Sequence, residues 1–281
     1  MNNRFDHIRQ NELSEKFHAL HHSDEMLVLP NAWDCASAKI FEVAGFKAIA
    51  TTSSGISWSC GYKDGEHIPP DLMIEVIDRM SHCVNIPLTA DIEAGYYGND
   101  LDKFSEFIGN VIKAGAVGIN LEDGDSKTKS MININLQIKK IKSVKEVAKQ
   151  KGVNLFLNAR TDAIELVQGD LKTKIKACIE RAKAFEEAGA DGIFIPFVKE
   201  IETVEELKKA IRLPLNILIN DTVKIDELKK LKVNRVSVGG KPMLASLNIL
   251  KVIATELQSG NNWNSLFVKD PNYLEVNKWF V

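Results

Sequence analysis

One short pattern constrains this chain more than any other: Ala-Gly-x-x-x-Ile, present as Ala44–Ile49, Ala114–Ile119 and Ala188–Ile193. Each copy reads as a helix end, a C-cap glycine in left-handed backbone and the start of a strand. The copies start at 44, 114 and 188, hence 70 and 74 residues apart, and a fainter echo, Leu231–Val236, starts 43 residues after the third. An interval of that length holds two strand-helix units of roughly 35 residues each. Apolar runs supply the intervening strands at Met26–Pro30, Ile86–Asp91, Val153–Asn158 and Leu215–Asn220, so eight strands alternate with helices. Two helical faces are explicit: Phe104, Phe107, Ile108, Val111 and Ile112, and then Ile175, Cys178, Ile179, Ala182 and Phe185. Even spacing without a dinucleotide-type glycine fingerprint favours a closed α/β barrel, the (β/α)8 TIM barrel, over an open doubly wound sheet.

The 281 residues suit one such domain, with the barrel over about 26–258 and a C-terminal extension over 259–281. Asn11–Leu20 and Ile249–Val281 fall outside the eight units and are expected to cover a barrel end or a neighbouring subunit. A net charge of -2 argues against a nucleic-acid partner, whose phosphates require clustered Lys and Arg. Cys35, Cys60, Cys83 and Cys178 lack CxxC spacing, which fits reduced thiols in the cytoplasm. No apolar run approaches a membrane span and no secretory leader opens the chain.

Barrel chemistry sits at the C-terminal ends of the strands. Those ends carry Asn31 and Asp34, Thr51 to Ile56, Asp91 and Glu93, Glu122 and Asp123, Asn158 and Arg160, Asn216 and Asn220, and Gly239-Gly240-Lys241. Asp91, Glu93, Glu122 and Asp123 would crowd at one place, where repulsion calls for protons or a cation. Oxygen ligands without histidine point to Mg²⁺, held by few direct ligands and several waters. His7, His18, His21, His22 and His82 lie in the N-terminal segment or on a helix, and only His67 sits in a strand-to-helix loop. Neither Gly192–Phe197 nor Leu215–Ile219 offers a lysine for a Schiff base. Arg160 is placed either to fork over a substrate anion or to form a salt bridge with Asp162 or Glu122. The Thr51–Gly55 turn offers hydroxyls and open backbone to an anionic substrate end.

Six stretches carry a resemblance covering about Leu27 to Leu250: Leu29–Asp34, Thr52–Ser57, Gly61–Gly65, Thr89–Tyr96, Asn120–Asp123 and Asn158–Asp162. Together they resemble the isocitrate lyase and phosphoenolpyruvate mutase superfamily. The resemblance implies Mg²⁺ at Asp91 with help from Asp64, Glu93 and Glu122. It also implies a small carboxylate substrate bound by Ser54, Gly55 and Ile56, with Asn216 nearby, and Arg160 on the bond-breaking side. Arg160, Glu122 and Glu93 are the expected catalytic residues, and a homodimer or homotetramer built through the eighth helix is the expected assembly.

Departures from the family pattern narrow the chemistry. The lyases' Lys-Lys-Cys-Gly-His segment is replaced by Gly124–Ser130, so their acid-base cysteine is missing. The mutases' Asp-Ala-Asp triplet begins here with Thr89, and their Lys-Thr-Asn-Ser loop carries Lys129 in place of asparagine. The expectation is a Mg²⁺-dependent lyase that cleaves a C–C bond in a small 2-oxo or 2-hydroxy dicarboxylic acid through an enolate. The alternatives are C–P chemistry on a phosphonate and a non-catalytic barrel that binds Mg²⁺ and an oxo acid. Tyr62, Glu93, Lys129 and a metal-bound water remain open as the general acid or base, and Gly124–Ser130 is either a lid or a passive loop.

Overall fold

The computed structural model describes residues 7–260, 263–267 and 270–280. Its central sheet runs from β1, Leu27–Leu29 resumed at Asn31–Ala32, through β2 (Ile49–Thr51), β3 (Leu88–Asp91) and β4 (Gly118–Glu122). It continues with β5 (Phe156–Arg160), β6 (Gly192–Ile195), β7 (Leu215–Leu218) and β8 (Arg235–Ser237). Every neighbouring pair is parallel. The first strand closes the ring because it pairs on both sides. Its lower half is in register with β8, Leu27 against Arg235, and its upper half with β2, Asn31 against Ala50. Pro30 divides the halves because it has no N–H to give, yet its carbonyl still accepts the Ala50 N–H at 2.9 Å. The architecture is the α/β TIM barrel.

The repeated glycines do what their spacing predicts. Gly45, Gly115 and Gly189 have φ of +88°, +95° and +108°. In each case the next amide reaches five residues back, Phe46 to Phe41, Ala116 to Val111 and Ala190 to Phe185, the Schellman closure of a helix. Val233 to Leu228 repeats that bond in the fainter copy, where Lys232 takes φ +53°. That helix end uses up Leu231–Val233, so β8 begins later than the echo, at Arg235. Val153 is likewise drawn into a helix end by its bond to Ala148, and β5 starts at Phe156 rather than with the apolar run.

Between the strands the helices present the expected faces. Phe104, Phe107, Ile108, Val111 and Ile112 are buried on helix Leu101–Lys113, and Ile175, Cys178, Ala182 and Phe185 on helix Leu171–Ala188. Helix His7–His21 plugs the floor of the barrel. Its Leu13 and Phe17 pack with Leu27, Leu29, Ala50 and Phe156. The His21 ring stacks on Phe156 at 3.9 Å, and Gln10 reaches the carbonyls of Ile112 and Ala116 at 2.8 and 3.1 Å. The other end of the chain contrasts with this. Helix Lys241–Ser259 buries only Met243, while Leu244, Leu247 and Leu250 stand exposed. No helix among the described residues is long and apolar enough to cross a membrane, and all four cysteines are free.

Phe17 is wholly buried at the barrel floor. Phe17→Ala is expected to lower the unfolding free energy by about 3–5 kcal/mol, read from the urea midpoint at unchanged slope.

Candidate active site

Parallel register brings the ends of β3, β4 and β5 side by side, with Asp91 opposite Asn120 and Glu122 opposite Arg160. Asp91 is the best-anchored acid. Its amide donates to Thr51 Oγ1 at 2.8 Å, and its Oδ2 accepts from Ser53 Oγ at 3.0 Å and from the Ser53 N–H at 3.3 Å. Ser53 opens helix Ser53–Ser59 directly after β2, so the turn between them holds the carboxylate in place.

Three more acids crowd around it. Asp64 lies on the rim, and burial of its carboxyl together with the Asp91 charge pushes its pKa up. Glu93 is buried and has a left-handed φ of +53°, a conformation that costs a non-glycine residue about 1–3 kcal/mol. The turn is held by its own side chain: one carboxyl oxygen accepts the Glu66 N–H at 2.7 Å, the other the Tyr96 hydroxyl at 3.2 Å. Glu66 in turn accepts the Tyr96 N–H. Burial first, then the charges of Asp64 and Asp91, push Glu93 up to about 8. Glu122 is also raised well above the usual carboxylate range: burial and the charges of Asp162, Asp91 and Glu93 outweigh its 2.7 Å pairing with Arg160 Nη1.

Arg160 has both of the partners that its sequence position allowed. Nε and Nη2 donate to the two oxygens of Asp162 at 2.8 and 3.1 Å, and Nη1 faces Glu122. These carboxylates hold the guanidinium above its ordinary pKa in spite of burial. Asp123 does not join the acidic group, contrary to the sequence expectation. Its carboxylate turns outward to Arg181 Nη1 at 2.9 Å and to the Asp162 N–H at 2.9 Å; the pair, with Asp123 buried, braces the loop that carries Asp162.

On the opposite wall, Ser54 Oγ lies 3.0 Å from Thr52 Oγ1. Gly55 has no room for a side chain, since a Cβ would come 2.7 Å from Thr52 Cγ2 and 2.9 Å from Trp33 Cβ. Ile56 is placed differently from its expected role: its side chain is in the core, and its N–H is bonded to the Thr52 carbonyl at 3.0 Å. Asn216 is buried on β7, level with Arg160 across β6. Its Oδ1 accepts from Ser237 Oγ at 3.3 Å, and its Nδ2 has no partner among the described residues. Asn31, Asp34 and Asn220 have structural work: Asn31 accepts the amides of Val238 and Gly239, Asp34 caps helix Cys35–Val43, and Asn220 braces its own loop. His67, Tyr62 and Lys129 are exposed.

Gly124–Ser130 forms a short hairpin, Gly124–Asp125 against Ser130–Met131. Ser126 Oγ ties it to the Gly65 carbonyl at 2.9 Å. Sequence reasoning missed Glu66 and the buried Arg235, and it placed Ser53 only within the Thr51–Gly55 turn, without its bond to Asp91.

Among the described residues no three acids converge into a ready-made cage. The donor set nevertheless suits a hard ion that keeps its own waters: all the ligands are oxygens, one anchored carboxylate stands at the centre, and three neighbours are raised by burial and then by one another's charge. Asp91 would hold such an ion, with Asp64, Glu93 and Glu122 around it.

The sequence model of the phosphoenolpyruvate phosphomutase family matches residues 17–258. The chain belongs to that family. Its members, with the isocitrate lyase relatives, form a superfamily of Mg²⁺-dependent lyases and mutases. An uncharacterised protein of Mycobacterium tuberculosis is 36% identical over 231 residues, covering 82% of this chain and 84% of that one. The 2-methylisocitrate lyase of Bacillus subtilis is 28% identical over 221 residues, 76% of this chain and 68% of that one. A Burkholderia cenocepacia protein provisionally named a phosphonomutase has a crystal structure that superposes with a TM-score of 0.82 at 34% identity. The match covers 87% of this chain and 100% of that one.

The raised Glu93 gives a pH signature. Its folded pKa of about 8 exceeds the ordinary 4.5, so the native state retains a proton that the unfolded chain releases. The resulting stability is complete below the unfolded pKa and is lost as pH rises through the folded one. With chelator present, the melting temperature should fall from pH 5 to pH 8, and Glu93→Gln should flatten that decline.

Proposed function

We propose that this phosphomutase-family barrel is a lyase that cleaves a C–C bond in a small 2-oxo or 2-hydroxy dicarboxylic acid through an enolate. The observation that carries the reading is the crowding of Asp64, Glu93 and Glu122 around an anchored Asp91. A site so rich in carboxylates favours a divalent cation, and Mg²⁺ supplies Lewis-acid stabilisation of negative oxygen there when bound. The chain's own groups divide the remaining work. The amides of Ser54 and Gly55, in the unbonded first turn of their helix, suit the substrate carboxylate. Asn216 Nδ2, without a partner among the described residues, is a buried donor for a substrate oxygen. Arg160, held rigidly by Asp162 and Glu122, presents its remaining N–H bonds where charge develops. The missing lyase cysteine leaves Glu93, backed by the Tyr96 hydroxyl, as the group that carries the proton.

The test is release of a 2-oxo acid, followed by a coupled dehydrogenase: pyruvate from oxaloacetate, methylisocitrate or phosphonopyruvate, glyoxylate from 3-alkyl malates, and the longer 2-oxo acid from 3-alkyl oxaloacetates. A 2-oxo acid that appears with Mg²⁺ and vanishes with chelator is expected from a C–C substrate. Phosphate release from phosphonopyruvate alone would transfer the assignment to C–P chemistry, and tight binding without product to a binding barrel. Asp91→Ala should abolish both turnover and any Mg²⁺-dependent rise in melting temperature. Arg160→Ala, which removes charge-assisted hydrogen bonds, should lower kcat/KM about 10–100-fold.

The exposed Leu244, Leu247 and Leu250 of helix Lys241–Ser259 support a further part of the reading, that a second copy of the chain covers this face in a homodimer or homotetramer. Light scattering should give a multiple of the chain mass, and Leu247→Glu with Leu250→Glu should reduce it to the monomer. The four free cysteines support a reducing, cytoplasmic setting.

A further inference from the structure

Phe197 follows β6 by two residues and has φ +66°, a left-handed conformation that is an outlier for a bulky residue. Strain of this kind concentrates at ligand-contacting positions. Its ring centroid lies 5.9 Å from Arg160 Cζ, and that of Phe194 lies at 5.7 Å. The guanidinium is therefore flanked by two aromatic rings, while its Nε and Nη2 donate to Asp162 and its Nη1 is ion-paired with Glu122. Phe197 is nonetheless 38% exposed. Its outer side lines a groove of about 480 Å³ between the segments that follow β5 and β6, together with Ile164, Val198 and Leu171. Lys174 and Lys199 on that groove are matched by Glu165 and Glu200, so it carries no net charge for an anion.

We propose that Phe197 sets substrate choice at the bond-breaking end. The substrate carries an alkyl group, rather than a further carboxylate, on the carbon beside the bond that breaks, and that group lies against Phe197 at the head of the groove. The inference rests on the lyase reading above. A carboxylate placed there would lose its water against the electron-rich face of an aromatic ring. An alkyl group would instead cover apolar surface that is now exposed. Arg160, already paired with the carboxylates of Asp162 and Glu122, is left with charge for one substrate carboxylate, which favours alkyl-substituted dicarboxylic acids over tricarboxylic ones.

The experiment is calorimetric binding to the Mg²⁺-loaded protein, with malate, 3-methylmalate, 3-propylmalate and isocitrate as probes. 3-Propylmalate is expected to bind at least about tenfold more tightly than malate or isocitrate. Phe197→Gly, which suits the left-handed backbone, should abolish that ratio, whereas Phe197→Leu, which keeps an apolar side chain, should retain most of it. A folded Phe197→Gly protein that keeps the ratio, or isocitrate binding as tightly as 3-propylmalate, overturns the proposal. Failure of all four probes, malate included, removes the lyase reading and this inference with it.

Discussion

Closure of the sheet on its first strand is the constraint from which the site follows. β1 pairs with β8 below Pro30 and with β2 above it, so eight strand ends must share one small mouth. Three of those ends in a row finish in Asp91, Glu122 and Arg160, and the loops add Asp64, Glu93 and Asp162. An open sheet would spread these charges along an edge and let water screen them. The ring brings them together and partly removes that water, which is why burial is the leading cause behind the raised Asp64, Glu93 and Glu122.

The crowding is managed by local devices that cannot be separated from the fold. Ser53 and Thr51 fix Asp91 from β2. Glu93 is turned inward by a left-handed backbone that its own hydrogen bonds to Glu66 and Tyr96 maintain. Asp162 orients Arg160 and is itself held by Asp123, whose charge is balanced by Arg181. A connected set of ion pairs and hydrogen bonds thus runs from Glu122 and Arg160 at the barrel mouth through Asp162 and Asp123 to Arg181 on helix Leu171–Ala188. The floor is aromatic by contrast: Phe17, Phe156 and the stacked His21 pack together there.

The two ends of the chain differ for a physical reason. Helix His7–His21 finds a ring of exposed apolar strand beginnings and buries Leu13 and Phe17 there. Helix Lys241–Ser259 is the more apolar of the two in sequence, yet it has no such surface within its own chain, and most of it remains exposed. Composition alone would have buried the second helix before the first. What separates them is that the barrel has one floor to cover and its mouth must stay open.

The sequence by itself determined the barrel. Glycine at 45, 115 and 189 allows the left-handed helix ends that a Cβ disfavours, and the regular interval between them sets the number of units. It also determined which strand ends carry acids, because position in a strand-helix unit is a local property. Several facts depended on contacts remote in sequence. Asp123 leaves the acidic group because Arg181, 58 residues away, is there to take it. The Ile56 N–H is already bonded within its own helix, and Lys232 copies a glycine because Val233 can still reach Leu228. Glu66 and Phe197, whose roles lie in what they touch across the mouth, gave no local sign at all. Periodicity records what each residue needs from the solvent, but only the closed barrel decides which distant side chain meets that need.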